Sequence, residues 1–368
     1  MPPPDPGQID AALAAGDAPA VVRLLRPLFA GLDNRSHAEV TPAGRRRLVP
    51  DDIRSSYDTD LVDVSARPAA VALLEHTVDK ASAAQIAELW PFLVPSILLL
   101  LDSPDLATKT RGVAALRRVL LGARVQFLAL TGLLPVFWDA LMTTLAFLPT
   151  ASSDISVEAS VALLREAFPT LYLAADLRAV QGDARTDVRA AEVAANTSPA
   201  FRIERARLLD AVLSDGVYRG LDLVGDKVEV ADVLVAQITV VASLQGVHSV
   251  RTLERNVRVL ARVLADPFAP AYPPLMQTAA AALAAVIRNG WPRLAPYRYE
   301  ILRAIASAWR RIHEDAGRPA DGGALAPVAA ALAAALGLLR TAVVAAGVDW
   351  PADAAALAGV PGLAGLCI

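Results

Sequence analysis

Apolar residues recur at helical spacing along most of this chain. From about residue 66 the pattern is helix, short break, helix, and it continues almost to the last residue. The segment 296–314 shows the geometry plainly, because Ile301, Ile305 and Ile312 fall on one stripe with Tyr297 and Trp309. Val240-Val241, the nearest approach to a strand pattern, lies inside a helical window. The pattern therefore predicts an all-α fold.

The predicted helices end close to Gly, Pro, Ser or Asp residues, which are the usual helix boundary signals. Ser82 is a predicted N-cap, and Thr197 or Ser198 caps a later helix. In the helix at 106–121, we expect Leu116 and its apolar neighbours to face inward and Lys109 to face solvent. The predicted helices are 9–15, 21–32, one opened by Pro68, one capped by Ser82, 92–101, 106–121, 133–148, 155–168, 171–177, 200–214, 229–244, 248–265, 273–289, 296–314, 323–346 and 351–358.

A helix with one apolar stripe cannot bury that stripe alone, so stacked helix pairs are expected. The spacing is irregular, roughly 35 to 45 residues per pair, which favours HEAT or armadillo repeats over the stricter TPR or ankyrin periods. We therefore predict an α-solenoid of irregular HEAT/armadillo-like repeats over residues 66–368. Residues 1–65 are predicted to form a divergent N-terminal region. It has two short helices and a long, charged, partly ordered loop at 33–64.

Composition narrows the class of protein further. Hydrophobic residues make up 55% of the 368 residues, so the chain can form a large core. The net charge of −3 argues against a protein that binds nucleic acid through a generally basic surface. A single cysteine, Cys367, favours a reducing compartment, and the N-terminus has no predicted signal peptide. The apolar stretches 89–101 and 324–348 are expected to be buried helices, so no membrane partner is predicted.

The search for reactive groups yields no catalytic, cofactor-binding or metal site. Asp58 and Asp60, with Asp63 nearby, are better explained by a solvated acidic loop than by a divalent cation. Residues 220–227 superficially resemble a phosphate-binding loop, but Val228 stands where Ser or Thr should bind magnesium, so we predict a turn. None of the four histidines is at metal-ligand spacing with another: His37, His76, His248 and His313. The sequence thus predicts a protein that is not an enzyme.

The most suggestive surface feature is an arginine stripe on the predicted helix 248–265. Arg251, Arg255, Arg258 and Arg262 are spaced four, three and four residues apart, so they share one face. This face could bind an acidic partner surface or phosphates. The alternative is a solvated helix face partly balanced by Glu254. The four arginines are the candidate partner-binding residues.

Several short stretches resemble a known family in order and spacing. They are 95–102 (PSILLLLD), Lys109, Arg111-Gly112, Leu116, 130–133 (LTGL), 136–141 (VFWDAL), 145–149 (LAFLP), 290–297 (GWPRLAPY), Ile301-Leu302 and Ala308-Trp309. The chain resembles the Tel-two-interacting protein two family. Members of that family are subunits of the TTT complex, which contains Tel-two and its interacting proteins one and two.

This resemblance implies a non-enzymatic scaffold of HEAT-like repeats that needs no cofactor. Its implied partners are Tel-two and Tel-two-interacting protein one. Through the complex it would act with the ninety-kilodalton heat-shock chaperone to support the stability and maturation of phosphatidylinositol-3-kinase-related kinases, including those of the DNA-damage response. The implied localisation is cytoplasmic and nuclear. Two alternatives stay open: another HEAT/armadillo adaptor in transport or trafficking, and a helical nucleic-acid-binding protein that uses the arginine stripe.

Overall fold

A computed structural model describes residues 3–30, 40–41, 43–47, 64–180, 193, 198–315 and 325–366. Within these ranges the regular structure is helical, apart from one isolated antiparallel bridge between Val40 and Arg46. The helices are α1 (Pro6–Ala14), α2 (Ala18–Leu25), α3 (Pro68–Lys80), α4 (Ala83–Asp102), α5 (Leu106–Gly122), α6 (Val125–Thr131), α7 (Leu134–Thr144), α8 (Val157–Val180), α9 (Pro199–Ala211), α10 (Arg219–Val224), α11 (Val228–Gln245), α12 (Leu253–Leu264), α13 (Pro273–Gly290), α14 (Arg298–Asp315), α15 (Ala326–Ala345) and α16 (Trp350–Ala358). The all-α prediction is confirmed.

The chain divides into two compact units, Met1–Arg205 and Ala206–Ile368. The predicted division into residues 1–65 and 66–368 stays a prediction, because most of the segment that would join the two parts lies outside the described residues. The predicted loop at 33–64 and the acidic cluster Asp58, Asp60 and Asp63 fall largely or wholly in that segment.

The first unit stacks helix pairs in two layers. Helices α1, α3, α5 and α8 each pack against the next along one layer, while α2, α4 and α7 do so along the other. Contacts between the layers join α4 to α5 and α7 to α8. This is the packing of a helical repeat, in which each pair buries its apolar stripes against its neighbours.

The second unit repeats this arrangement. Helices α11, α13 and α15 form one layer, in which α13 is central, and α12 packs on α14 in the other. Because α13 is covered by neighbours, its small residues are buried, including Ala279, Ala280 and Ala282. The packing within each unit is thus consistent with the predicted helical repeats. A solenoid that runs through the whole chain remains a prediction.

Helix α4 joins two predicted helices, the one capped by Ser82 and the one at 92–101. Instead of a separate helix at 92–101, one helix runs from Ala83 to Asp102 through Pro91 and Pro95. Each proline removes a backbone donor and disfavours the helix interior by about 3 kcal/mol. The residues from Ile97 to Leu101 are all buried, so tertiary packing outweighs that penalty. Helix α8 likewise continues through Pro169, although two helices at 155–168 and 171–177 were predicted.

The prediction that Lys109 faces solvent is wrong. Its side chain is only 3% exposed, its Nζ donates to the carbonyl of Leu101, and it lies 4.3 Å from the ring centroid of Phe147. The ammonium therefore satisfies a free carbonyl at the end of α4, a position that favours positive charge. Burial lowers the pKa of Lys109, and the negative charge of Asp102 opposes that shift.

Two smaller boundaries also differ from the predictions. Residues 220–227 were predicted to be a turn, but α10 occupies Arg219–Val224 and the turn follows at Gly225. The predicted helix at 248–265 is a 3-10 segment, Gly246–Arg251, followed by α12. Arg251 therefore lies just before the α-helix that holds the other three arginines.

In the described part of the chain, three helical segments are long and apolar enough to cross a membrane by length and composition alone. They are Ala83–Asp102, Val228–Arg251 and Ala326–Ala345, and the bent pair α6 and α7 would make a fourth. In this fold the first is a central element of the first unit, with 61% of its most apolar window buried. The absence of a membrane partner stays a prediction.

Two helical glycines test how closely the helices pack. A methyl group on Gly112 would lie 2.7 Å from Cβ and 3.0 Å from the carbonyl carbon of Leu100, whereas one on Gly337 would meet nothing within 4 Å. We expect Gly112→Ala to lower the free energy of unfolding by about 1–3 kcal/mol through overpacking. Gly337→Ala should raise it by about 1 kcal/mol through helix propensity. Urea denaturation measures both, and changes of the same sign would contradict the close packing of Gly112 against Leu100.

Candidate protein-interaction surface

The predicted arginine stripe lines a groove in the second unit. Its walls come from α12, the end of the 3-10 segment Gly246–Arg251, the middle of α10 and a π-helical segment, Val212–Tyr218, that continues α9. The groove has a volume of about 650 Å³ and is lined by Tyr218, Asp222, Arg251, Glu254, Arg255, Arg258, Val259 and Arg262. We call it the arginine groove. All four arginines predicted from the sequence therefore lie on one concave surface.

Each arginine of the groove has a partner. Arg251 pairs with Asp210 at 2.9 Å, Arg258 with Glu254 at 2.7 Å, and Arg262 with Asp222 at 3.4 Å. The guanidinium of Arg255 lies 4.3 Å from the ring centroid of Tyr218, at cation–π distance. The alternative interpretation, a solvated and partly balanced face, therefore describes part of the surface correctly. The pairs are mostly well exposed, and such pairs contribute little stability and exchange partners easily.

The floor of the groove is rigid. The Tyr218 hydroxyl donates to Oδ1 of Asn256 at 2.7 Å, and Asn256 in turn donates to Oγ1 of Thr252 at 3.2 Å. Burial raises the pKa of Tyr218, so the phenol stays protonated and keeps this bond. Beside the groove, the side-chain amide of Gln245 donates to Asp210, the partner of Arg251, at 2.7 Å. The arginines thus project from a fixed base.

The sequence indicated Glu254 but did not reveal the π-helical segment or the acidic partners from other helices, Asp210 and Asp222. Asp222 and Arg262 are 40 residues apart, and Tyr218 and Asn256 are 38 apart, so no local pattern joins them. A π-helix frequently marks a functional site. Here it sets Tyr218 beneath Arg255, although nothing in residues 212–218 distinguishes it from an ordinary helix.

Other chemistry is sparse in the described part of the chain. Among those residues, no group of three His, Cys, Asp or Glu side chains is arranged to hold a metal ion. His76 pairs with Asp10 at 2.7 Å, and His313 accompanies Trp309 on α14. Cys367 and the predicted acidic loop lie outside the described residues. The arginine groove is therefore the candidate binding surface in the described part of the chain.

The fold and the groove define a class, namely a helical-repeat protein with a groove of charged side chains on its surface. A comparison with known families then gives the particular one: residues 21–271 match the model of the Tti2 family. The match covers more than half of the chain, and the chain belongs to this family, as the resemblance predicted. The match contains the stretches at 95–149 and the whole arginine groove, while the stretch at 290–309 lies beyond it. Family membership supports a general role as a subunit of the TTT complex.

Proposed function

We propose that this protein is a non-enzymatic scaffold subunit of the TTT co-chaperone complex. In that role it binds Tel-two and Tel-two-interacting protein one. Through the complex it acts with the ninety-kilodalton heat-shock chaperone to support the stability and maturation of phosphatidylinositol-3-kinase-related kinases, in the cytoplasm and the nucleus. The single observation that carries the proposal is the Tti2 family match over residues 21–271.

The physical character of the fold agrees with this role. Stacked helix pairs present long surfaces without an enclosed pocket, which suits contacts with other proteins. The arginine groove, with Arg251, Arg255, Arg258 and Arg262, is the proposed partner-contact surface of the second unit. Its interleaved carboxylates count against the nucleic-acid alternative, because a run of phosphates would lie beside Asp210, Asp222 and Glu254.

Co-purification tests the proposal. The full chain is tagged in its native cell, and stoichiometric partners are identified by mass spectrometry. We expect Tel-two and Tel-two-interacting protein one, and acute depletion should lower the amount of the kinases while their mRNA is unchanged. Recovery of transport carriers and their cargo in place of these subunits would favour the adaptor alternative and refute the proposal.

A further inference from the structure

A second concavity adjoins the arginine groove. It lies between α10, the start of α11, the end of α12, the segment 266–272 and the start of α13, and its volume is about 460 Å³. Most of its lining is apolar and comes from Leu221, Val228, Ala231, Val263 and Leu275. We call it the apolar pocket. A space of this size accepts one or two aliphatic or aromatic side chains.

Two large apolar side chains project at the rim of the apolar pocket. Phe268 is 82% exposed and Leu223 is 55% exposed. The backbone N–H of Phe268 donates to Oδ1 of Asp266 at 2.8 Å, and the 3-10 turn Ala269–Ala271 follows, so the loop holds this ring away from the core. Exposed aromatic residues beside an apolar concavity are typical anchors of protein–protein interfaces.

The two concavities form one continuous surface, because Asp222 and Arg262 line both. Their ion pair, at 3.4 Å, is the low wall between them, and both side chains are more than half exposed. Exposed pairs of this kind are weak, so a carboxylate from outside can replace Asp222 as the partner of Arg262. A ligand that crosses this wall meets guanidinium groups on one side and apolar carbons on the other.

We propose that the arginine groove and the apolar pocket together bind one segment of a partner protein. Its Asp or Glu side chains would lie in the groove and an apolar side chain would enter the pocket beside Phe268. The inference rests on the proposed function, since it assumes that this chain assembles with other proteins. Charge complementarity carries it, because the four arginines of the groove meet only three carboxylates in the pairs described.

The same charges disfavour nucleic acid as the occupant. Asp226 and Asp266 line the apolar pocket next to Asp222, so a chain of regularly spaced phosphates crossing the wall would meet three carboxylates. A protein segment avoids this repulsion, because it can place carboxylates in the groove and an uncharged side chain in the pocket. The charges of this surface therefore favour a protein segment over nucleic acid as the ligand.

Photocrosslinking tests the site and identifies the segment. p-Benzoylphenylalanine is incorporated at position 268 of the full chain in its native cell, with position 344 on α15 as an exposed control site. The crosslinked peptide is then sequenced by mass spectrometry. We expect position 268, and not 344, to capture one protein segment with an apolar residue flanked by Asp or Glu. Capture of nucleic acid, capture of a segment without acidic residues, or no crosslink at 268 would overturn the proposal.

Affinity measurements separate the two halves of the site. The captured segment is synthesised, labelled and titrated against the full chain by fluorescence anisotropy. Arg258→Glu with Arg262→Glu, and separately Phe268→Ser, should each weaken binding about tenfold or more. Added salt should weaken wild-type binding and reduce the effect of the arginine changes, while the effect of Phe268→Ser persists. Arg340→Glu and Val344→Ser on α15 are the matched controls.

The outcomes for this site and for the proposed function are distinguishable. If the TTT subunits co-purify but the groove and pocket variants bind the segment as tightly as the wild type, the docking site is refuted and the proposed function stands. If position 268 captures an acidic, apolar segment of some other protein and no TTT subunit co-purifies, the docking site stands and the proposed function fails. Far-UV circular dichroism confirms that each variant is folded.

Discussion

Trp90→Ala is expected to lower the free energy of unfolding of the first unit by about 3–5 kcal/mol, the range for deleting a large buried aromatic side chain. Trp90 is fully buried in α4 and contacts Phe127 and Phe137 edge to face, with ring centroids 5.0 and 6.0 Å away. Its indole Nε1 also donates to the carbonyl of Gly44 at 2.8 Å. The substitution therefore removes a packing centre and a hydrogen bond at once.

The bond to Gly44 gives this prediction a second, local readout. Gly44 has a φ of +66°, and a methyl group at that position would lie 2.6 Å from Cδ1 of Trp90, so backbone and indole are in close contact. Arg46 adds a bond from its N–H to the carbonyl of Thr131 at 3.1 Å. We expect Trp90→Ala to speed amide hydrogen exchange at residues 43–47.

Two variants serve as controls for Trp90→Ala in urea denaturation. Trp90→Phe keeps most of the aromatic packing and loses the hydrogen bond, so its loss should be smaller. Trp291→Ala removes a half-exposed tryptophan and should change stability by about 1 kcal/mol or less. Equal losses for Trp90→Ala and Trp291→Ala would contradict the packing described for α4.

Helix starts were the most predictable features, because their signals are local. Ser82 was predicted as an N-cap, and it forms a reciprocal capping box with Gln85 at the start of α4. Ser198 likewise accepts from the backbone N–H of Phe201, at 3.3 Å, at the start of α9. In each case the residues that decide the structure lie within three positions of one another.

The errors arose where distant residues decide the outcome. Lys109 looks solvent-facing by charge alone, but the carbonyl of Leu101 and the ring of Phe147 give its ammonium a buried site. The prolines of α4 look like helix breakers, but the apolar residues around them are buried against other helices. Single-helix periodicity cannot weigh these tertiary contacts against local propensity.

The candidate site was predictable only in part: the face that carries the arginines was predicted, but the groove around it was not. The spacing of Arg255, Arg258 and Arg262 placed them correctly on one face of α12. Their partners Asp222 and Tyr218 come from the preceding helical segments, and the apolar pocket is formed by parts of five segments. Amphipathic spacing finds a face, whereas a groove depends on which elements pack beside that face.

The second large effect is expected for Arg205→Met, with a loss of about 3–5 kcal/mol. The Nε of Arg205 lies 2.6 Å from Oδ1 of Asp176, and its Nη2 lies 3.3 Å from Oδ2, so the guanidinium binds both carboxylate oxygens. The two side chains are only 13% and 11% exposed. Methionine fills much of the volume but leaves the buried carboxylate of Asp176 without this partner.

The pH dependence of this loss follows from the pKa of Asp176. Burial raises that pKa, and the charge and hydrogen bonds of Arg205 oppose the shift, so removing Arg205 raises it further. A carboxyl group whose pKa is higher in the folded than in the unfolded protein binds more protons when folded. The loss of stability in Arg205→Met should therefore be largest at pH values above the pKa of Asp176 in the folded variant. It should become smaller as the pH falls toward the pKa of Asp176 in the unfolded chain, near 4.

A double-mutant cycle separates the lost pair from the stranded charge. Asp176→Asn combined with Arg205→Met should recover part of the stability that Arg205→Met loses, because no unpaired charge remains. Arg258→Met is the matched control, since its exposed pair with Glu254 contributes little and its removal should have a small effect at any pH. Urea denaturation at several pH values measures each variant. A loss for Arg205→Met that is as small as that of Arg258→Met, or that does not change with pH, would mean that Asp176 does not depend on this arginine.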